Sequence, residues 1–516
     1  MKGIGRWALG GAAAAALALG AGELAAALLG GGSPILAIGA VVIDLQPPGA
    51  KDLMVELFGT GDKLVLEVAT ALGALLFGAL IGVGTRFSML AAMAGIVAFG
   101  GVALAAILRD PLVGLSAALI VVAAAVAVGL ISLPRLLPRA ESNAATALTE
   151  QDGSLPTVAK AGQPVERRRF LVVTGSALAV GGLLAFVGRF VGASDSRPID
   201  VRLPRPGEAL PPLPAGADFL IDGLSPIVVP HGQFYRIDTR LNVPNLDPDQ
   251  WRLRIYGMVE HEIEFGYYEL LAMPLIERYV TLACVSNEVG GDLVGNARWT
   301  GTLLRLLLER AGVQPGATQI VGRSFDGWTA GFPTAHLDGA GSEALVAVGM
   351  NGDPLPARHG FPARLVVPGL YGYVSATKWI TEIELTTLEA FDAYWVPLGW
   401  AKEAPILTQS RIDVPRAGAA LTSGPIEAAG VAWAPTRGIS AVEIQLDDGA
   451  WQPAQVSLAL SDAAWVQWRA TIDVPAGAHS LRVRATDGTG TVQDSRRTPP
   501  APDGARGYHE IRVAAG

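Results

Sequence analysis

The chain has 516 residues, with 39 Lys and Arg against 47 Asp and Glu for a net charge of −8, and half of its residues are hydrophobic while 17% are charged. That balance is too apolar for an ordinary soluble protein of this length, and with this acidic surplus no nucleic-acid partner is expected. A single cysteine, Cys284, excludes an internal disulfide and a multi-cysteine metal centre, so any chemistry at that sulfur is the work of one thiolate.

In chain order, the apolar excess lies in the first 192 residues. Runs over 7–30, 64–84, 87–108 and 112–133, and a fifth over 170–191, each approach the roughly 20 residues that span a bilayer as a helix. Residues 33–44 are apolar but too short to span and are followed by Pro47 and Pro48, which predicts an interfacial or re-entrant piece. Lys2, Arg6, Arg86, Arg135, Arg139, Lys160 and Arg167 to Arg169 flank the spans on one side, which assigns that side to the cytoplasm. Five spans then place the remainder of the chain outside the cell membrane.

Residues 166–171 read ERRRFL, the pattern of a twin-arginine export signal; an ordinary positive anchor before a span is the alternative. No clear small-residue cleavage site follows, so the fifth span is expected to stay as an anchor. No histidine precedes His231, which excludes a membrane haem held by paired histidines, and no haem is expected in this chain. Glu23, inside the first span, is either a functional group or a residue facing a neighbouring helix or the interface. Residues 142–166 lack an apolar period and read as a flexible linker, and the proline-rich 202–214 reads as an extended spacer.

From 218 to 398, short β-rich runs (251–256, 279–283, 344–350, 364–367) surround one amphipathic helix expected over 301–311, an α+β pattern. Residues 279–308 read YVTLACVSNEVGGDLVGNARWTGTLLRLLL, a strand, a Gly-rich loop and a Trp-Thr-Gly entry into that helix. A lone cysteine in such a stretch is commonly a small buried hydrophobe. Asn287, Asn296 and Trp299 could shape a pocket, although Asn in a Gly-rich loop is often turn chemistry. From about 405 the pattern changes to short alternating strands (441–446, 465–472, 479–485) between turns such as Asp447-Asp448-Gly449, a β-sandwich signature in which Trp433, Trp451, Trp465 and Trp468 are expected in the core.

The segment around Cys284, together with PHGQFYRID at 230–238, RHGFPARLVVPG at 358–369 and YGYVSATKW at 371–379, resembles the sulfite oxidase family of molybdopterin-dependent oxidoreductases, over about 218 to 516. The resemblance implies a mononuclear molybdenum-molybdopterin cofactor with Cys284 as its one protein ligand. It further implies cofactor contacts from Tyr235, Arg236, Ser324, His359, Arg364, Ser375 and Lys378, with Arg236 also a candidate for an oxyanionic substrate. His231 and Gly232 stand where relatives often carry Asn, which leaves the substrate side open.

The fold expected is a transmembrane helical bundle of about five spans, an α+β sulfite-oxidase-type molybdopterin domain and an immunoglobulin-like β-sandwich. The corresponding boundaries are 1–134 for four spans, 135–169 for a cytoplasmic linker, 170–192 for the fifth span, 193–217 for a Pro-rich linker, 218–400 for the cofactor domain and 401–516 for the sandwich, which in relatives often makes a homodimer. The activity implied is two-electron oxygen-atom transfer on a small sulfur-containing substrate, with sulfoxide or N-oxide reduction, or a cofactor-less membrane scaffold, as alternatives. With no b5-like domain, CxxCH or Rossmann motif, electrons are expected to pass through a separate carrier or a quinone-linked membrane partner.

Overall fold

The computed structural model describes residues 4–46, 57, 61–138, 163–194 and 201–516. Contacts divide the chain into two compact units, Met1–Arg197 with Arg240–Asn242, and Pro198–Thr239 with Val243–Gly516. Pro47, Pro48, most of the linker read over 142–166 and part of the Pro-rich linker 193–217 lie outside the described residues.

The first unit is helical: α1 (Ile4–Leu29), α2 (Pro34–Asp44), α3 (Asp62–Gly84), α4 (Met89–Ile107), α5 (Leu115–Leu136) and α6 (Gln163–Ser194). All but α2 are long and apolar enough to cross a membrane. Lipid offers helices no hydrophobic reason to associate, so packing relies on small residues that let backbones approach. A Cβ at Gly11 would run into the α3 backbone at Gly78 and Gly82, and one at Gly181 into the α1 backbone at Ala16. Glu23 serves the fold. One of its carboxylate oxygens accepts from Ser33 Oγ at 2.8 Å and from Ile35 N at 3.0 Å, while Ser33 Oγ accepts from Leu36 N at 3.1 Å. The start of α2 is therefore capped from α1.

The second unit is β-rich. Its first part holds β1 (Arg252–Gly257), β2 (Ile263–Gly266), α7 (Tyr267–Leu271), β3 (Ile276–Ala283), β4 (Val294–Leu303), α8 (Leu304–Ala311), β5 (Gln319–Ser324), β6 (Thr329–Pro333), β7 (Leu345–Met350), β8 (Asp353–Pro354), β9 (Arg364–Val366), α9 (Gly372–Ser375) and β10 (Ile380–Thr386). One sheet runs β3-β4-β7-β8 with β9 on β7, the other β2-β1-β10-β5-β6.

The expected helix over 301–311 is shorter than read, because Gly301 to Leu303 belong to β4 and the helix begins at Leu304. The expected Gly-rich loop is present over 284–293, but its last part is strand, because β4 begins at Val294 and runs between β3 and β7. Its glycines answer to packing: a Cβ at Gly295 would stand 2.9 Å from the Phe234 ring, and one at Gly301 would meet the Val346 carbonyl.

The second part comprises β11 (Gln409–Val414), β12 (Ala420–Leu421), β13 (Gly424–Trp433), β14 (Ile439–Leu446), β15 (Gln452–Pro453), β16 (Gln455–Val456), β17 (Val466–Val474), β18 (Gly477–Asp487) and β19 (His509–Ala515). Sheets β11-β13-β17-β16 and β12-β19-β18-β14-β15 bury a shared core that includes Trp468, Ile472, Val442, Leu481 and Ile511. Trp433 and Trp465 instead join the core of the first part, and Trp451 is only half-buried, packed beneath the Arg484 guanidinium.

Candidate active site

Cys284 is the first residue after β3, where the chain leaves the sheet for the loop 284–293. Its N–H donates to Leu293 O at 2.9 Å, its carbonyl accepts from Asn287 N at 3.1 Å, and Asn287 Oδ1 accepts from Leu293 N at 2.8 Å. Asn287 thus ties the loop, and the buried Cys284 sulfur (residue 8% exposed) stands 3.1 Å from Ser286 Oγ. Asn296 is strand framework, its amide donating to Ile227 O at 2.8 Å.

The 230–238 segment lays Phe234 against Trp299 and His359, edge to face with centroids 5.7 and 5.6 Å apart. This wall positions Tyr235, whose phenol is held protonated by burial, then by the nearby Cys284 charge, with Arg364 pulling the other way. Tyr371, which the sequence pattern does not single out, is likewise pushed up to about 12, chiefly by burial and also by Cys284.

Arg364, on β9, is 4% exposed and faces the Trp299 ring at 5.0 Å. Its guanidinium donates only to carbonyls, of His359 at 3.1 Å, Leu365 at 3.3 Å and Ala376 at 3.5 Å, and it forms no ion pair with a carboxylate among the described residues. Burial lowers its pKa to about 10. A buried cation without an anion is costly unless a ligand supplies one.

His359 is 1% exposed, and its Nε2 lies 2.8 Å from His231 O; a carbonyl can only accept, so that nitrogen carries the proton and Nδ1 is left as the acceptor. Burial holds the ring neutral with a pKa of about 3, and Lys378, Arg364 and Arg358 push the same way.

Lys378 Nζ contacts Asp238 at 3.1 Å, and Arg236 clasps the same carboxylate through Nε at 2.8 Å and Nη2 at 3.3 Å. Burial takes Lys378 down to about 8 against the opposing pull of Asp238. Asp238 is absent from the residues expected at the site; its signal is the Arg-x-Asp spacing inside the segment singled out for Arg236.

Ser324, at the end of β5 opposite Ile380, has a buried hydroxyl with no hydrogen-bond partner among the described residues. Ser375 differs: its hydroxyl donates back to Tyr371 O at 3.0 Å and Leu370 O at 3.3 Å, so a ligand would meet its backbone. The structure therefore gathers Tyr235, Cys284, His359, Arg364 and Lys378, with Arg236 beside Lys378. Arg236 and Lys378 share Asp238, while the charges of Lys378, Arg364 and Arg358 all bear on His359, which makes the region cationic in a chain of net charge −8.

The buried histidines make one consequence measurable. His359 and His509, the latter lowered to about 4 by burial, stay neutral in the fold, whereas unfolded imidazoles take up protons below about 6.5. Their contribution is full above that pH and is lost as pH falls toward the folded values, by up to about 1.4 kcal/mol per pH unit for each ring. Melting temperature should fall between pH 7 and 5, and less steeply in His509→Gln; a flat profile would contradict the assignment.

Residues 240–395 match the family described as oxidoreductase molybdopterin binding domain. Human mitochondrial sulfite oxidase is 31% identical over 310 residues, covering 50% of this chain and 56% of that one. The oxidoreductase YuiH of Bacillus subtilis (strain 168) is 32% identical over 154 residues, covering 30% of this chain and 74% of that one. A solved structure, the sulfane dehydrogenase SoxCD from Paracoccus pantotrophus, superposes with a TM-score of 0.49 at 24% identity, over 56% of this chain and 81% of that one. The chain belongs to the sulfite oxidase family of molybdopterin-dependent oxidoreductases. It spans only a little over half the length of the sulfite oxidases it matches.

The chain's own groups fit such a cofactor. Among the described residues Arg364 has no carboxylate and Ser324 Oγ no hydrogen-bond partner, and neutral His359 keeps a nitrogen lone pair beside donors and cations suited to a pterin phosphate.

Proposed function

We propose that this chain is a membrane-anchored molybdenum oxidoreductase that transfers an oxygen atom to or from a small sulfur-containing substrate, with Cys284 supplying the one protein thiolate to the metal. The observation that carries the reading is the buried Arg364, held by carbonyls alone within the cationic cluster that also contains Lys378. When bound, the cofactor supplies a two-electron redox centre at which an oxygen atom can be exchanged.

Arg364 and Lys378 would hold its phosphate, and His359 Nδ1 and Ser324 Oγ would be free to bond its polar groups. Phe234, Trp299 and the His359 ring form a dry wall that strengthens these interactions. Tyr235 keeps its proton near Cys284 and would be a donor there, while the exposed Arg358 would draw in an anionic substrate.

Oxidation of sulfite takes an oxygen from water and releases two electrons, which a separate carrier or the membrane quinone pool accepts, and two protons, which pass to solvent or to the quinone. A second reading, reduction of a neutral sulfoxide or N-oxide, is favoured by Asp238, which takes up the charge of Arg236. The positive-side arginines and the twin-arginine-like segment support a catalytic unit exported folded to the outer face, and the immunoglobulin-like reading of the C-terminal sheets supports a homodimer there.

The test is a substrate panel on purified holoenzyme: sulfite with an artificial acceptor, sulfoxides and N-oxides with a reduced dye. Turnover of one class that depends on Cys284 supports the reading. No molybdenum in matured protein removes it and leaves the cofactor-less scaffold.

A further inference from the structure

The C-terminal sheets reach the cysteine loop from both sides. Before the loop, Thr281 N donates to Ala463 O at 2.9 Å, Thr281 Oγ1 accepts from Trp465 N at 2.7 Å, and Ser461 Oγ donates to Tyr279 O at 2.9 Å. These bonds hold β3, which ends at the residue preceding Cys284.

After Cys284, Arg411 on β11 donates from Nη1 to Gly291 O at 2.6 Å. The guanidinium is itself fixed, by Asp413 at 2.7 Å through Nε and by Ser225 Oγ at 2.8 Å through Nη2. His509, at the start of β19, accepts from Ile412 N at 2.9 Å through Nδ1, so its ring is locked to the same strand. That ring lies flush against Gly290, which has φ +82 and where a Cβ would collide with it. Only glycine suits both the left-handed backbone and the closeness of the imidazole.

We infer that Arg411 and His509 are positioning residues that set the direction of the Cys284 sulfur, so that the C-terminal sheets form part of the machinery of the metal site. The loop's own ties are short in range: Cys284 and Leu293 pair across its base, Asn287 closes onto both, and Gly291 N donates to Glu288 O at 2.9 Å. Its tip at 290–291 is fastened to the C-terminal strands by Arg411 and packed against them through His509. A shift of the tip rotates the peptide planes that lead back through Asn287 to Cys284, and with them the angle at which the sulfur meets a metal. Groups bonded directly to a metal ligand typically change activity by about 10–100-fold, which sets the upper bound for Arg411 and His509, one step further out.

The inference rests on Cys284 being the metal ligand, and the experiment separates the two. Holoenzymes carrying Arg411→Lys, Gly290→Ala, Gly290→Ala with His509→Ala, and Cys284→Ser are compared by metal content, by turnover and by the g-values of the one-electron-reduced molybdenum signal. Arg411→Lys keeps the charge beside Asp413 but loses the fork that reaches Gly291. Both it and Gly290→Ala are expected to retain molybdenum, to shift the g-values and to lower kcat about 10-fold, with KM changing much less. Removing the imidazole should restore part of the signal in the double variant, because the collision is relieved. Wild-type g-values and kcat in Arg411→Lys and Gly290→Ala, alongside a changed signal in Cys284→Ser, would overturn the positioning role alone. An unchanged signal in Cys284→Ser would overturn the ligand assignment beneath it.

Discussion

Cys284→Ser is expected to abolish turnover while leaving the fold intact. The replacement is close in size, the backbone bonds of residue 284 to Leu293 and Asn287 do not involve the side chain, and Ser286 Oγ can still partner a hydroxyl. A ligand exchange changes the electronic environment of the metal itself, so the loss should exceed the about 10–100-fold that outer partners cost. X-ray absorption at the molybdenum edge should show one sulfur neighbour fewer. The opposite signature belongs to a cysteine that merely fills space: there Cys284→Ala and Cys284→Ser would both leave turnover per molybdenum unchanged.

The two halves of this chain are legible to different depths. The spans declare themselves because apolar runs near bilayer length need no tertiary context, and α1 and α3 to α6 overlie the segments read as spans. β4 does not, because Gly295 and Gly301 carry the local signal of a loop while their reason lies in Phe234 and Val346, distant in sequence. The same local logic assigns Trp433 and Trp465 to the sandwich's own core. Trp465 donates its indole N–H to Ile227 O at 2.9 Å, a contact across 238 residues that periodicity cannot register.

The cationic residues of the site are legible as residues, since Arg236, Arg364 and Lys378 stand in short patterned segments. Their chemical states are not. Asp238 decides how much positive charge Arg236 presents, and Arg364 is surrounded by carbonyls rather than by a carboxylate among the described residues. Residue type gives charge; burial and partners give what that charge can bind.

Arg364→Met should uncouple stability from cofactor. In the empty protein the guanidinium is desolvated, donates only to carbonyls and is pushed down to about 10, so it contributes little net stabilisation beyond its contact with Trp299. Methionine preserves much of the apolar stem and the packing against that ring, and the melting temperature of cofactor-free protein is expected to change by only a few degrees. With cofactor the balance reverses, because a charge-assisted bond to phosphate in this dry setting is worth about 1.5–3 kcal/mol, or roughly 10–150-fold in affinity. The variant should therefore lose most of its molybdenum on purification, and the gap in melting temperature between loaded and empty protein should narrow, since that gap measures binding to the native state. Full molybdenum occupancy with an undiminished gap would show that Arg364 is a framework residue, and the cationic pocket would then need another account.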